Sequence, residues 1–368
     1  MFNIPQMRLD RAFELHQEEY ESAALRVLRS GWYIFGNEIE AFEGEFAAYI
    51  GSKHCIGVGN GLDALCMSVR ALGIGKGDEV IVPANTFIAS VMSITMNGND
   101  ATPVFVEPDE YHNIDPNKIE SAITPRTKAI LPVHLYGQTC DMSAIMSIAD
   151  RYDLRVIEDC AQSHGAKHNG RTSGTFGDVG CFSFYPSKNL GAFGDAGAVV
   201  TDSDDIADKL RIYRNYGSEK RYHNMVVGVN SRLGEMQSAL LRVRLKYLDQ
   251  NTQMRRDICE YYQNNITNPL ILLPKIRKDC ECVWHQFVVM INDRSLFIDY
   301  LKEHGIGTII HYPIPPHLQD CYRNLGYKQG DFPIAEQYAD HVLSLPVYSG
   351  MTAQEQEYIV EVINKWQR

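Results

Sequence analysis

Short runs of β-branched and apolar residues alternate with helix-length segments over about the first 215 residues, which narrows the possible folds more than any other feature. The strand candidates are 55–58, 79–83, 103–107, 129–133, 155–158, 179–184 and 198–201. Helix-length or loop segments separate the first five, as βαβ units require, so the expectation is an α/β fold with a mainly parallel central sheet covered on both faces. The last two are joined by a turn with no full helix, which predicts an antiparallel member. From 234 to 266 the sequence turns helical and charged, carrying the chain into a second unit. That unit is expected to hold a strand at 284–291, a helix at 295–304, a strand at 308–312 and two helices after Phe332 and Thr352. A chain of 368 residues is long for one core. The expected division is a large domain, 1–247, with the N-terminal segment, and a smaller C-terminal α+β domain, 248–368.

Charge and cysteine usage exclude several classes of function. A net charge of −11, from 35 basic and 46 acidic residues, argues against nucleic acid or an anionic membrane as partner. The nine cysteines show no zinc or redox spacing, and Cys280 and Cys282 are too close for a metal knuckle, so no metal site is expected. Met1–Gln6 lacks a targeting pattern, and no run of about 18 apolar residues occurs. The expected location is the cytoplasm.

Three local patterns carry chemistry. Lys188 follows the strand-like Cys181-Phe182-Ser183-Phe184 and precedes the turn Gly191-Ala192-Phe193-Gly194. A lysine desolvated on such a turn loses its proton readily and becomes a nucleophilic amine. Asp159 ends the run Arg155-Val156-Ile157-Glu158, where strands of an open α/β sheet meet ligands. It is either a partner for a protonated ring nitrogen or the cap of the next helix. The turn Gly57-Val58-Gly59-Asn60-Gly61-Leu62 opens an apolar-periodic helix, and backbone N–H groups there suit a phosphate. A dinucleotide site is disfavoured: the third glycine comes one position early, and Asp78 and Glu79 stand at the start of the next strand rather than its end.

These patterns, with Gly31-Trp32-Tyr33, Pro83-Ala84-Asn85-Thr86-Phe87, Pro132-Val133-His134-Leu135-Tyr136-Gly137 and Asn230-Ser231-Arg232-Leu233, resemble the DegT/DnrJ/EryC1/StrS family of nucleotide-sugar aminotransferases. The resemblance runs over nearly the whole chain. It implies fold type I of the enzymes dependent on pyridoxal 5′-phosphate (PLP), with pyridoxamine phosphate formed between half-reactions. It also implies that Lys188 anchors the cofactor and shuttles the proton, that Asp159 pairs with the pyridine nitrogen and that Gln162 faces the ring hydroxyl. Phe87 would stack on the ring, and Ser183, Gly61 and the backbone of Leu62 would hold the phosphate. Leu62 stands where the family often has a hydroxyl side chain, and Ala196 where it often has glycine. Read without the family, Phe87 is equally a core aromatic, and Ser183 equally bonds a neighbouring backbone.

The resemblance further implies a homodimer in which Asn230 reaches the neighbouring subunit's phosphate; read locally, Asn230 is a turn residue. The stretch His311-Tyr312-Pro313-Ile314-Pro315-Pro316-His317 resembles the family's nucleotide-sugar segment, in the form found in members that aminate C3 of dTDP-3-keto-6-deoxyhexoses. His311, Tyr312 and His317, with Tyr185 and Tyr33, are the expected substrate contacts, although such histidines and tyrosines also serve packing. The implied reaction passes the amino group of L-glutamate, leaving 2-oxoglutarate, to a nucleotide-linked keto sugar destined for O-antigen, lipopolysaccharide or another glycan. The alternatives are amination at C4 of a dTDP- or UDP-linked 4-keto sugar, and a non-catalytic PLP-binding regulator. A deoxygenating dehydratase of the same superfamily is disfavoured, since a histidine there commonly replaces the lysine.

Overall fold

The computed structural model describes residues 3–367; Met1 and Phe2, part of the N-terminal stretch read above, and Arg368 lie outside the described residues. The β-branched runs pair into a seven-stranded sheet in the spatial order His54–Val58, Gly197–Thr201, Val179–Ser183, Arg155–Asp159, Thr127–Ile130, Glu79–Pro83, Thr102–Val106. Six strands run one way, and Gly197–Thr201 is antiparallel to both of its neighbours. The turn carrying Lys188 makes that reversal, as the missing helix predicted.

Period-2 alternation along the strands decides which side chains reach which layer. Phe182 and Phe184 point into a cluster with Phe42 and Phe46 of the helix Asn37–Ile50, their rings edge to face at 5.0–5.4 Å. Cys181 points to the opposite core, with Val58, Leu65 and Ile157. Alternation therefore turns Ser183 away from the phenylalanine layer. On the neighbouring strand Val156 and Glu158 face one side, while Ile157 and Asp159 face the other.

The helices Glu235–Lys246 and Leu248–Asn265 follow one another with Tyr247 between them and lead into a second core. That core gathers Ile258, Tyr262, Phe287, Phe297, Leu343, Ile359 and Trp366 around the antiparallel pair Phe287–Met290 and Val342–Leu345. Ile4 packs into it and bridges Ile306, so the beginning of the chain crosses to this second core. One expectation is corrected here, and one strand is added. Residues 308–312 form no strand, only a single bridge from Ile309 to Ser344. The partner of Phe287–Met290 is Val342–Leu345, which begins directly where the helix Pro333–His341 ends, with no turn residue to mark the change. Among the described residues no helix is long and apolar enough to cross a membrane.

Candidate active site

The carboxyl ends of the parallel strands converge on Lys188, the position where open α/β sheets bind ligands. Lys188 is half-buried on the turn after Val179–Ser183, and its backbone N–H donates to Tyr185 O at 2.8 Å. Burial draws its pKa down from 10.5 to about 8, while the negative charge of Asp159 acts in the opposite sense. Enough free amine is then present near neutral pH for attack on a carbonyl.

Asp159 is 5 % exposed. Its Oδ1 accepts the Ala161 N–H at 3.1 Å and its Oδ2 accepts the Ser90 hydroxyl at 2.8 Å. Burial raises its pKa, and the Ser90 hydrogen bond, the Ala161 N–H and the Lys188 charge oppose that rise. The carboxylate does bond a nearby backbone N–H, as a cap would. Its other oxygen, however, is committed to the next layer, where capping has no part.

Gly61 and Leu62 open the helix Gly61–Ala71, whose cap Asn60 accepts from the Asp63 N–H at 2.8 Å. Ser183 lies against this first turn: a Cβ on Gly61 would stand 2.6 Å from the Ser183 Cβ. Only glycine lets the strand end and the helix start meet so closely. The first-turn N–H groups and the Ser183 hydroxyl therefore share one small mouth, a ready anion site. The Ser183 carbonyl accepts from His164 Nε2 at 2.9 Å, and the hydroxyl oxygen accepts the Tyr185 N–H at 3.4 Å, the bond to a neighbouring backbone read as the alternative above.

Gln162 accepts the Tyr136 N–H at 2.6 Å and donates to the Tyr312 hydroxyl at 3.0 Å. Phe87, 52 % exposed, lies with its ring centroid 5.3 Å from that of Tyr312. So exposed a ring is no core aromatic. His311 is held by Ser344 Oγ at 2.8 Å, and its carbonyl accepts the Tyr136 hydroxyl. Burial and then the Lys188 charge keep His311 neutral, with its pKa near 4.

His317 and Tyr33 make their side-chain hydrogen bonds outside this group. His317 is fully enclosed between Phe105 and Phe332, and its Nε2 pairs with Glu336 at 3.2 Å. The 3-10 turn Pro316–Leu318 carries the ring inward, so the expected substrate contact is not formed in this conformation. Tyr33 bonds Leu28 O through its hydroxyl at 3.3 Å, and its ring is exposed, as is that of Tyr185. Asn230 is exposed beside Ser231, whose hydroxyl donates to Asp63 Oδ2 at 2.7 Å and accepts the Gly59 N–H at 2.9 Å.

The structure adds residues that the sequence reading passed over. Ser90 is one. His164 and His285 are two more, both neutral through burial and both within the field of Lys188. Asn189 ties the lysine turn to the second core, donating to Val283 O at 2.8 Å and meeting His285 Nδ1 at 3.2 Å. Asn189 stands next to Lys188 in its motif but was given no role, and His164, two residues after Gln162, was within reach of another. The cluster His134, Glu158 and Cys160 has ligand types close together. Two of its three members are already engaged: Glu158 accepts His134 Nε2 and the N–H groups of Gly174, Phe176 and Gly177, while His134 Nδ1 accepts the Cys140 N–H.

Known proteins match this arrangement. A model of the DegT/DnrJ/EryC1/StrS aminotransferase family matches residues 14–364. The chain is 53 % identical to a dTDP-3-amino-3,6-dideoxy-α-D-galactopyranose transaminase of Aneurinibacillus thermoaerophilus, with 99 % of each chain covered. It superposes on the crystal structure of Streptomyces venezuelae DesV with a TM-score of 0.96 at 45 % identity, covering 100 % of this chain and 99 % of the other. The Bacillus subtilis NtdA structure, solved with the cofactor PMP bound, superposes with a TM-score of 0.91 at 32 % identity, covering 99 % and 85 %. The residues present suit PLP on three counts. These are an amine of lowered pKa, a buried carboxylate within its field, and a glycine-opened helix start closed by Ser183.

Proposed function

Because the chain belongs to the DegT/DnrJ/EryC1/StrS aminotransferase family, we propose that it passes the amino group of L-glutamate to C3 of a dTDP-linked 3-keto-6-deoxyhexose. The product is a dTDP-3-amino-3,6-dideoxyhexose. The observation that carries the sugar assignment is the 53 % identity, over nearly the full length of both chains, to a transaminase named for such a product.

PLP, when bound, supplies an electron sink for the carbanion left when a substrate carbon loses its proton. Lys188 would hold the cofactor and, as a free amine, would take and return the proton at the reacting carbon. Its lowered pKa serves both roles, since one needs a free amine and the other a base of near-neutral strength. Asp159 pairs with the ring nitrogen. The N–H groups of Gly61 and Leu62 and the Ser183 hydroxyl receive the phosphate. Phe87 covers the ring face, and Gln162, oriented by Tyr136 and Tyr312, turns its amide to the ring hydroxyl. Tyr312, His311, Tyr185 and Tyr33 are the side chains assigned to the sugar. The partners are the keto sugar, the amino donor and a second copy of the chain.

The test is a one-pot incubation of the protein with PLP, L-glutamate and a panel of 3-keto and 4-keto sugars linked to dTDP or UDP. The product amine is located by mass and NMR. Amination at C3 of a dTDP sugar is expected; turnover confined to 4-keto or UDP-linked sugars overturns the assignment.

A further inference from the structure

Asp159 is braced from behind by a chain of two buried hydroxyls. Ser90, with no exposed surface, donates to Asp159 Oδ2 at 2.8 Å, and Thr86, 2 % exposed, lies 2.8 Å from Ser90 Oγ. Counting protons fixes the direction of the chain. An ionised carboxylate only accepts, so the single Ser90 proton points to Asp159, and the Thr86 proton must then point to Ser90. Two hydroxyls aligned head to tail polarise one another and strengthen the bond that reaches the carboxylate.

The fold builds this alignment locally. Glu79–Pro83 ends beside the site, Thr86 follows in the connecting turn, and Ser90 lies in the first turn of the helix Ile88–Thr95. Phe87, between them, faces outward. Neither hydroxyl has a surface that a ligand could touch. Their only route to the chemistry is through Asp159.

We propose that Thr86 and Ser90 are positioning residues, a relay that keeps the Asp159 carboxylate ionised and oriented to hold the proton of the cofactor's ring nitrogen; this rests on the cofactor reading above. Burial drives Asp159 toward its neutral form, and the Ser90 hydrogen bond is the largest effect opposing it, ahead of the Ala161 N–H and the Lys188 charge. Without the relay, Asp159 shares a neutral hydrogen bond with the ring nitrogen in place of an ion pair, and the electron sink weakens.

The test uses holoenzyme loaded with PLP labelled with 15N in the ring, whose chemical shift separates pyridinium from neutral pyridine. At neutral pH the wild-type protein should give the pyridinium shift. S90A should move it toward the neutral value and slow the glutamate half-reaction by about 10- to 100-fold, the range for losing a hydrogen bond to a charged group. T86V should move the shift in the same direction by less, and S90T, which keeps a hydroxyl, should restore it. Thermal unfolding of the apoproteins checks that each variant folds. A folded S90A that retains the full pyridinium shift overturns the relay. A wild-type protein without that shift, or an Asp159→Asn variant that keeps it, overturns instead the role of Asp159 on which the relay rests.

Discussion

Burial pulls the Lys188 ammonium down to about pH 8, and Asp159 partly holds it up, so the two residues set one another's charge. In the apoprotein, the rate of combination with PLP should therefore rise with pH through a midpoint near 8, because the free amine is the reactive form. In Asp159→Asn the midpoint should fall below that of the wild type, since removing a negative neighbour disfavours the ammonium. Stopped-flow absorbance gives both midpoints; a wild-type value near that of an ordinary lysine, about 10.4, contradicts the burial argument. The same variant should keep its fold yet transaminate about 10- to 1000-fold more slowly, the loss of a charge pair at the ring nitrogen. Borohydride reduction and peptide mapping should find the cofactor on Lys188, and on no other lysine. These two residues were legible in the sequence because Asp159 ends a recognisable strand and Lys188 stands on the turn that follows another. Ser90, Asn189 and His285 were not, because each becomes relevant only when strands distant in sequence come to lie side by side.

At the scale of single elements, the helix Asn37–Ile50 shows how a remote side chain substitutes for a missing cap. Its N-cap is Gly36, which has no side chain to offer. The buried Glu235 takes that place from the other side of the fold, accepting the N–H groups of Gly36, Glu38 and Ile39 at 2.8–3.0 Å. A carboxylate at a helix start also meets the positive end of the dipole. Glu235→Ala should therefore cost this helix end about 2 kcal/mol, read as a roughly thirtyfold loss of hydrogen-exchange protection at residues 36–39. Glu235→Gln, which keeps one acceptor oxygen, should lose less. Unchanged protection in the alanine variant would show that packing against Phe42 and Phe46 alone fixes this end. Elements of this scale were legible where period and turn residues agreed, as in the strands leading to Asp159 and Lys188. They were missed where a strand followed a helix without a break, at Val342–Leu345, and where a β-branched stretch, Thr308–Ile310, found no ladder to join.

At the scale of the whole molecule, two segments carry several exposed apolar side chains each. Leu28, Trp32, Tyr33 and Ile34 are exposed on the N-terminal segment, and Tyr216, Tyr222, Met225 and Val227 on the segment that ends at Asn230. On a chain with a net charge of −11, such grouped apolar side chains support association with another copy, and twofold dimers are the commonest such assembly. The sequence could suggest a shared site only through family resemblance, because a single chain's pattern does not record which surface meets a neighbour. Ser231 anchors its segment to the glycine turn of its own chain, while Asn230 itself is exposed. If Asn230 completes the partner's phosphate site, mixing inactive Lys188→Ala with inactive Asn230→Ala should restore activity after subunit exchange. In the mixed dimer one site receives both defects, and the other receives an intact Lys188 from its own chain and an intact Asn230 across the interface. Activity should then rise in step with the mixed species counted by native mass spectrometry. Full exchange without any recovery would assign Asn230 to its own chain's site, and the dimer would lose its part in catalysis.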